Sequence, residues 1–149
     1  MILQIDPIAL QVTGQTGGAE LFLVSRVLFG VILAFMGLNH FMQLEQMSQY
    51  ASFKGLPAPK LSVIASGVVL VAGGLGIVAG VAPVVAGLAL AGFLVVAAVT
   101  MHDFWAVEGE DQQDEMIQFL KNIGLAGGAL AFVILGLSEW PYAVNLGLF

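Results

Sequence analysis

Two histidines, His40 and His102, are the only side chains that ordinarily titrate near neutrality, and each stands among other polar groups in an apolar sequence. Asn39 precedes His40, Asp103 follows His102, and Lys121 with Asn122 interrupt a further apolar run. Phe41, Phe104, Trp105 and Phe119 lie beside them. A quinone headgroup needs donors aimed at its carbonyl oxygens, a group that titrates near neutrality, and an apolar, aromatic slot for its ring. The side chains that could contact such a cofactor are His40, His102, Asp103, Trp105, Lys121 and Asn122, with Arg26 as a further cation inside an apolar run.

Other chemistries fit less well. Two imidazoles at one depth suit axial ligation of haem, but no haem-attachment motif accompanies them, which ranks haem below quinone. Imidazoles alone are too few for a metal site; pairing with carboxylates stays open as an alternative, and no metal site is assigned. The absence of cysteine excludes disulfides, thiolate metal sites, iron–sulfur ligation and a CxxC redox pair. Serine nucleophile elbows, phosphate loops and paired carboxylates within the apolar runs are missing, which argues against hydrolytic or phosphoryl chemistry. A structural reading competes throughout: a helix dipole favours histidine at a C-terminus, and a His-Asp-Phe-Trp run can anchor a span at an interface.

The elements that must position these residues are membrane helices. From Leu61 to Met101 there is no Asp, Glu, Lys, Arg or His. As one helix this stretch would be about 62 Å long at ~1.5 Å per residue, twice the ~30 Å hydrocarbon core of a bilayer. It reads as two spans joined near Gly80 and Pro83. Hydrophobic residues make up 59% of the chain and charged residues 9%, against roughly 25% charged in a soluble domain. The expectation is an all-α, integral membrane four-helix bundle in one domain, with spans at about 21–42, 61–80, 83–101 and 115–137. An N-terminal tail, 1–19, lacks the features of a cleaved signal; an acidic loop spans 106–114 and a C-terminal tail 138–149. The fourth helix is expected to begin near Asp114, whose side chain would cap it. Trp105, and Trp140 with Tyr142, then fall at water interfaces.

With four crossings both termini share one face and the two long loops the other. Lys54 and Lys60 lie in the long loops and Lys121 near them, so the positive-inside rule puts those loops in the cytoplasm and the termini outside, in a multi-pass plasma-membrane protein. Spans one and three end on the loop side and span four begins there, which brings His40, His102, Asp103, Lys121 and Asn122 to one depth.

On span one, Arg26, Gly30, Leu33, Gly37 and His40 share a face that should point into the bundle. Arg26, about 7 Å inside its end at ~1.5 Å per residue, either snorkels to headgroups or is buried, with Glu20 as a partner at the rim. Gly67 and Gly74 share a face, and Gly76 with Gly80 and Gly124 with Gly128 are small-xxx-small pairs; packing within the bundle is preferred over a homo-oligomer face.

Net charge is −6, and half of the acidic residues lie in one segment, Glu108, Glu110, Asp111, Asp114 and Glu115. It reads first as a solvated turn, second as the mark of an acidic, halophile-like proteome, and third as a docking patch for a partner. Four scattered basic residues build no nucleic-acid surface.

The chain resembles the DoxX family of small four-span membrane proteins. The resemblance rests on R-V-L-F-G and G-L-N-H-F in span one (Arg26 to Phe41), K-G-L-P-A-P (Lys54 to Pro59), S-G and G-G-L-G in span two, H-D-F-W (His102 to Trp105), and F-L-K-N with A-G-G-A-L in span four. N-H-F stands where many members have a G-x-x-K ending. The resemblance implies a four-helix bundle associated with quinone-linked redox systems: the family name refers to a terminal quinol oxidase context, and the DoxD relatives are subunits of thiosulfate:quinone oxidoreductase. It attaches no catalytic role to any residue. Two readings follow. In the first, the chain is a membrane subunit or accessory protein of a quinone-linked system, with electrons arriving from a soluble partner. In the second, it is a non-enzymatic scaffold or cargo-type protein that binds partners through its loops.

Overall fold

The structure, a computed structural model, describes residue 11 and residues 13–146; most of the N-terminal tail lies outside the described residues. The elements are α1 (Gly18–Met42), α2 (Leu44–Phe53), α3 (Pro59–Ala79), α4 (Pro83–Met101), a single 3-10 turn (Phe104–Ala106) and α5 (Glu110–Leu135). The helices α1, α3 and α5, and α4 taken with its 3-10 turn, are each long and apolar enough to cross a membrane. Large apolar side chains such as Leu28, Ile32, Phe35, Val96 and Ile134 lie exposed on their outer faces, where lipid rather than water satisfies them.

Proline opens both middle spans, Pro59 and Pro83 sitting where a missing N–H costs nothing. Gly80, with φ 69°, closes α3 in the left-handed conformation, and the chain reverses within three residues into α4. The hairpin expected between residues 61 and 101 is therefore present.

The helices pair as α1 with α3 and α4 with α5. The α1–α3 seam is made by four glycines: Gly30 faces Gly74 and Gly37 faces Gly67, so two antiparallel helices touch backbone to backbone at two points seven residues apart. On the other pair, Gly87 meets the backbone of Ala129. Leu33, Leu70, Ile77, Leu90 and Leu94, all within 1% of complete burial, join the two pairs. The aromatic rings of Phe22, Phe29, Phe132 and Trp140, with centroids 5.1–6.1 Å apart, fill the space between α1 and α5 in the half of the bundle near Gly80. Among the described residues no such cluster of packed rings occupies the same space in the other half, where Phe93 and Tyr50 instead line an open cavity.

Four expectations are corrected. The acidic segment is not a loop to residue 114: α5 begins at Glu110, its N-cap is Gly109, and Asp114 lies inside the helix and caps nothing. Carboxylates in a first turn are favoured by the helix dipole, and a 26-residue helix, about 39 Å long at ~1.5 Å per residue, can carry its first turns beyond a ~30 Å core. The long loop after α1 contains the helix α2, with Ser48 and Ala51 buried. Trp140 is no surface anchor: it is 2% exposed, packed edge-to-face with Phe22 and bonded through its indole N–H to the Leu135 carbonyl at 2.8 Å. Arg26 takes no carboxylate partner, since Glu20 accepts the Tyr142 hydroxyl instead.

Candidate functional site

Arg26, fully buried, sits at the Gly80 end. Its guanidinium donates to the carbonyls of Ile77 (3.2 Å) and Val78 (2.5 Å) in the last turn of α3 and of Pro141 (2.8 Å) and Tyr142 (3.2 Å) in the C-terminal segment. It lies 5.0 Å from the Trp140 ring, a cation–π contact. Five donors in a rigid fork meet carbonyls that a helix end leaves open. The C-terminal segment is thereby tied to α3, helped by the Val144 N–H donating to Ala79 at 2.8 Å. Arg26 is a fold-closing residue, remote from both histidines.

At the opposite end the unfilled space between α1 and α5 is a cavity of about 820 Å³. His40, His102, Lys121 and Asn122 all line it, so four of the residues singled out from sequence do converge. Its floor is Leu70, Phe93 and Leu94, and α2 supplies a wall through Met47, Tyr50 and Ala51. Asn122 continues the inward stripe of Ala126, Ala129 and Phe132 on α5. It is 5% exposed as a residue, and its amide, which forms no hydrogen bond with the described residues, is open to the cavity rather than sealed in the core.

Asp103 and Trp105 stand outside the cavity. Asp103 accepts from the Lys54 ammonium. Trp105 packs edge-on with Phe104 and Phe119, at centroid distances of 5.2 and 6.0 Å, and is 57% exposed, as an interfacial anchor would be. Asn39 accepts from Gln43 at 2.7 Å, and Phe41 covers Gly67.

Three residues missed by the sequence reading complete the polar end. Glu115 Oε2 lies 2.7 Å from His102 Nδ1, its Oε1 accepts the Tyr50 hydroxyl at 2.5 Å, and Lys54 Nζ is 3.7 Å from the same oxygen. The Tyr50 hydroxyl is also 3.3 Å from the Met101 carbonyl. Burial pulls the Lys54 ammonium down, yet its bonds to Asp103 and Tyr50 outweigh that and leave it above the ordinary lysine value. Burial and the bond to Glu115 raise the Tyr50 phenol. The network pins α2 and the turn after it to the ends of α4 and α5, so α2 closes one side of the cavity. Lys54 could have been found in the K-G-L-P-A-P motif; Glu115 was hidden among like charges.

The DoxX family profile matches residues 21–103, more than half of the chain. This chain belongs to the DoxX family. The matched segment of this DoxX-family chain holds His40, Lys54, His102 and Asp103 and stops before α5, which supplies Glu115, Lys121 and Asn122. The chain is also similar to the inner membrane protein YphA of Escherichia coli (strain K12), 29% identical over 126 residues that span 85% of this chain and 87% of the relative. No solved structure matches the chain. Family and helices together make it an integral membrane protein with four apolar crossings.

Proposed function

We propose that the cavity between α1, α2 and α5 receives the headgroup of a membrane quinone, and that the protein serves as a membrane subunit or accessory protein of a quinone-linked redox system. The observation that carries this reading is Asn122. Its side chain is largely buried, yet the amide forms no hydrogen bond with the described residues and is not sealed off, so it opens onto the cavity with its donors and acceptor free for a ligand. His40 and His102 share its wall, and the apolar floor suits a ring. The chain carries no thiolate or iron–sulfur ligands, so electrons come from a separate, soluble partner. The lysines of the loop side and the name of the bacterial relative favour a plasma-membrane protein with the long loops in the cytoplasm and both termini outside. Reporters fused after positions 45 and 110 would then both read cytoplasmic.

The test is extraction of cofactor from detergent-purified protein. Quinone should co-purify, and His102→Ala and Asn122→Ala should each lower its content while the helical circular dichroism is kept. Unchanged content in both variants would overturn the reading, and a Soret band in the same preparation would replace quinone by haem.

A second reading is favoured by one observation. Glu108, Glu110 and Asp111 are exposed and have no ion-pair partner among the described residues. As a docking face they would capture a basic soluble protein, in binding lost when the three are neutralised and indifferent to His40 and His102.

A further inference from the structure

Each histidine on the cavity wall has one ring nitrogen committed. His40 Nδ1 lies 2.8 Å from the Met36 carbonyl oxygen, which can only accept, so Nδ1 carries the hydrogen. His102 Nδ1 faces a carboxylate, Glu115, whose other oxygen already takes the Tyr50 hydroxyl and faces the Lys54 ammonium. A carboxylate held among donors is ionised and accepts, so this Nδ1 also carries a hydrogen. In a neutral imidazole of that tautomer, Nε2 is a bare lone pair.

Neither Nε2 has a hydrogen-bond partner among the described residues, and both rings line the cavity. The wall therefore offers two acceptors, with the Asn122 amide beside them able to turn either its oxygen or its NH2 inward. A quinone brings only carbonyl acceptors and would face these nitrogens lone pair to lone pair. A hydroquinone brings two hydroxyl donors.

We infer that the cavity selects the reduced, hydroxyl-bearing form of its ligand, with Nε2 of His40 and of His102 as acceptors and Asn122 as the adaptable contact. This rests on the headgroup reading above and adds the redox state that the site prefers. The charges around His102 agree. Glu115 and Asp103 against Lys54 leave one surplus negative charge while His102 is neutral. A hydroxyl proton is therefore well received there: the ligand O–H bond breaks, its electron pair stays on the oxygen, and an Nε2–H bond forms. Glu115 acts through His102 and is a positioning residue.

The experiment compares equilibrium binding of a short-tailed benzoquinol and the matching benzoquinone to the purified full chain in nanodiscs, without oxygen. At about pH 8 the quinol should bind roughly tenfold tighter. The charged groups near His102 are Glu115 on α5, Lys54 at the α2 end with Tyr50 beside it, and its neighbour Asp103; Lys121 lies on the same cavity as His40. Glu115→Gln frees the tautomer and should cut the alkaline preference to about threefold or less with quinone affinity held. Equal affinity for the two forms at the alkaline pH, or tighter quinone binding, would overturn this inference and leave the headgroup reading standing. Binding of neither form would sink both.

Discussion

A Cβ placed on Gly30 would stand 2.3 Å from the carbonyl oxygen of Gly74, and one placed on Gly74 would stand 2.4 Å from that of Gly30. The obstacle on each side is backbone, which cannot rotate away. In a bilayer the two helices gain no hydrophobic driving force from each other, so dispersion at this contact holds the seam closed. Gly30→Ala or Gly74→Ala should push α1 from α3 and cost about 2–3 kcal/mol. Gly124 and Gly127 face open space, so Gly124→Ala and Gly127→Ala should leave unfolding in detergent unchanged or slightly harder. A small-residue rule blind to position would have all four behave alike.

Half of that seam was legible in the sequence. The face through Arg26, Gly30, Leu33 and Gly37 follows from helical periodicity, and so does the shared face of Gly67 and Gly74. That the two faces meet is a tertiary fact. The gathering of His40, His102, Lys121 and Asn122 was legible too, because crossing a bilayer fixes depth and leaves little freedom along the axis. Lateral position has no such constraint. Trp140, in a short tail, reads as an interfacial anchor until Arg26 is seen to bind the neighbouring Pro141 and Tyr142 carbonyls and draw it inward. The helix α2 is mixed and polar, with Leu44, Met47, Ser48 and Ala51 at helical spacing in only ten residues, too short a signal to separate from a loop.

Arg26 supplies the next test. Arg26→Met keeps the apolar stem but leaves four carbonyls short of a donor, two at a helix end and two in the C-terminal segment. The expected cost is about 3 kcal/mol. Release of the segment would expose Trp140, so its emission should shift to the red in a Trp105→Phe background. Arg26→Lys should recover little, since one ammonium cannot reach the four carbonyls of two segments that the guanidinium fork bridges. An unshifted emission maximum in Arg26→Met would show that the segment is held by Val144 and Asn145 alone.

Lys54 makes the closure of α2 dependent on pH at the alkaline end only. Its value in the fold is above the ordinary one, so the stabilisation is complete below the unfolded lysine range of about 10.4 and is lost as pH rises through the folded value. Tyr50, also raised, loses its bond to Glu115 in the same direction. Because the chain has no cysteine, the buried Ser48 replaced as Ser48→Cys gives a unique label on α2. Adding Lys54→Met should speed labelling severalfold near neutrality, and the difference between the two proteins should shrink as pH rises beyond the ordinary lysine range. Equal labelling rates near neutrality would mean that Lys54 does not hold α2 down.

Asn122 separates ligand binding from folding most sharply, because an apolar side chain of similar size can occupy its place. Asn122→Leu removes an amide that forms no hydrogen bond with the described residues and extends the apolar stripe of Ala126, Ala129 and Phe132. The ligand-free protein should be about as stable, because no hydrogen bond to the described residues is lost, while quinone no longer co-purifies. Residues kept for function rather than for the fold behave in this way. The opposite pattern, lower stability with ligand content intact, would mean that the amide bonds within the protein in the native membrane and that the cavity is a packing defect between α1 and α5.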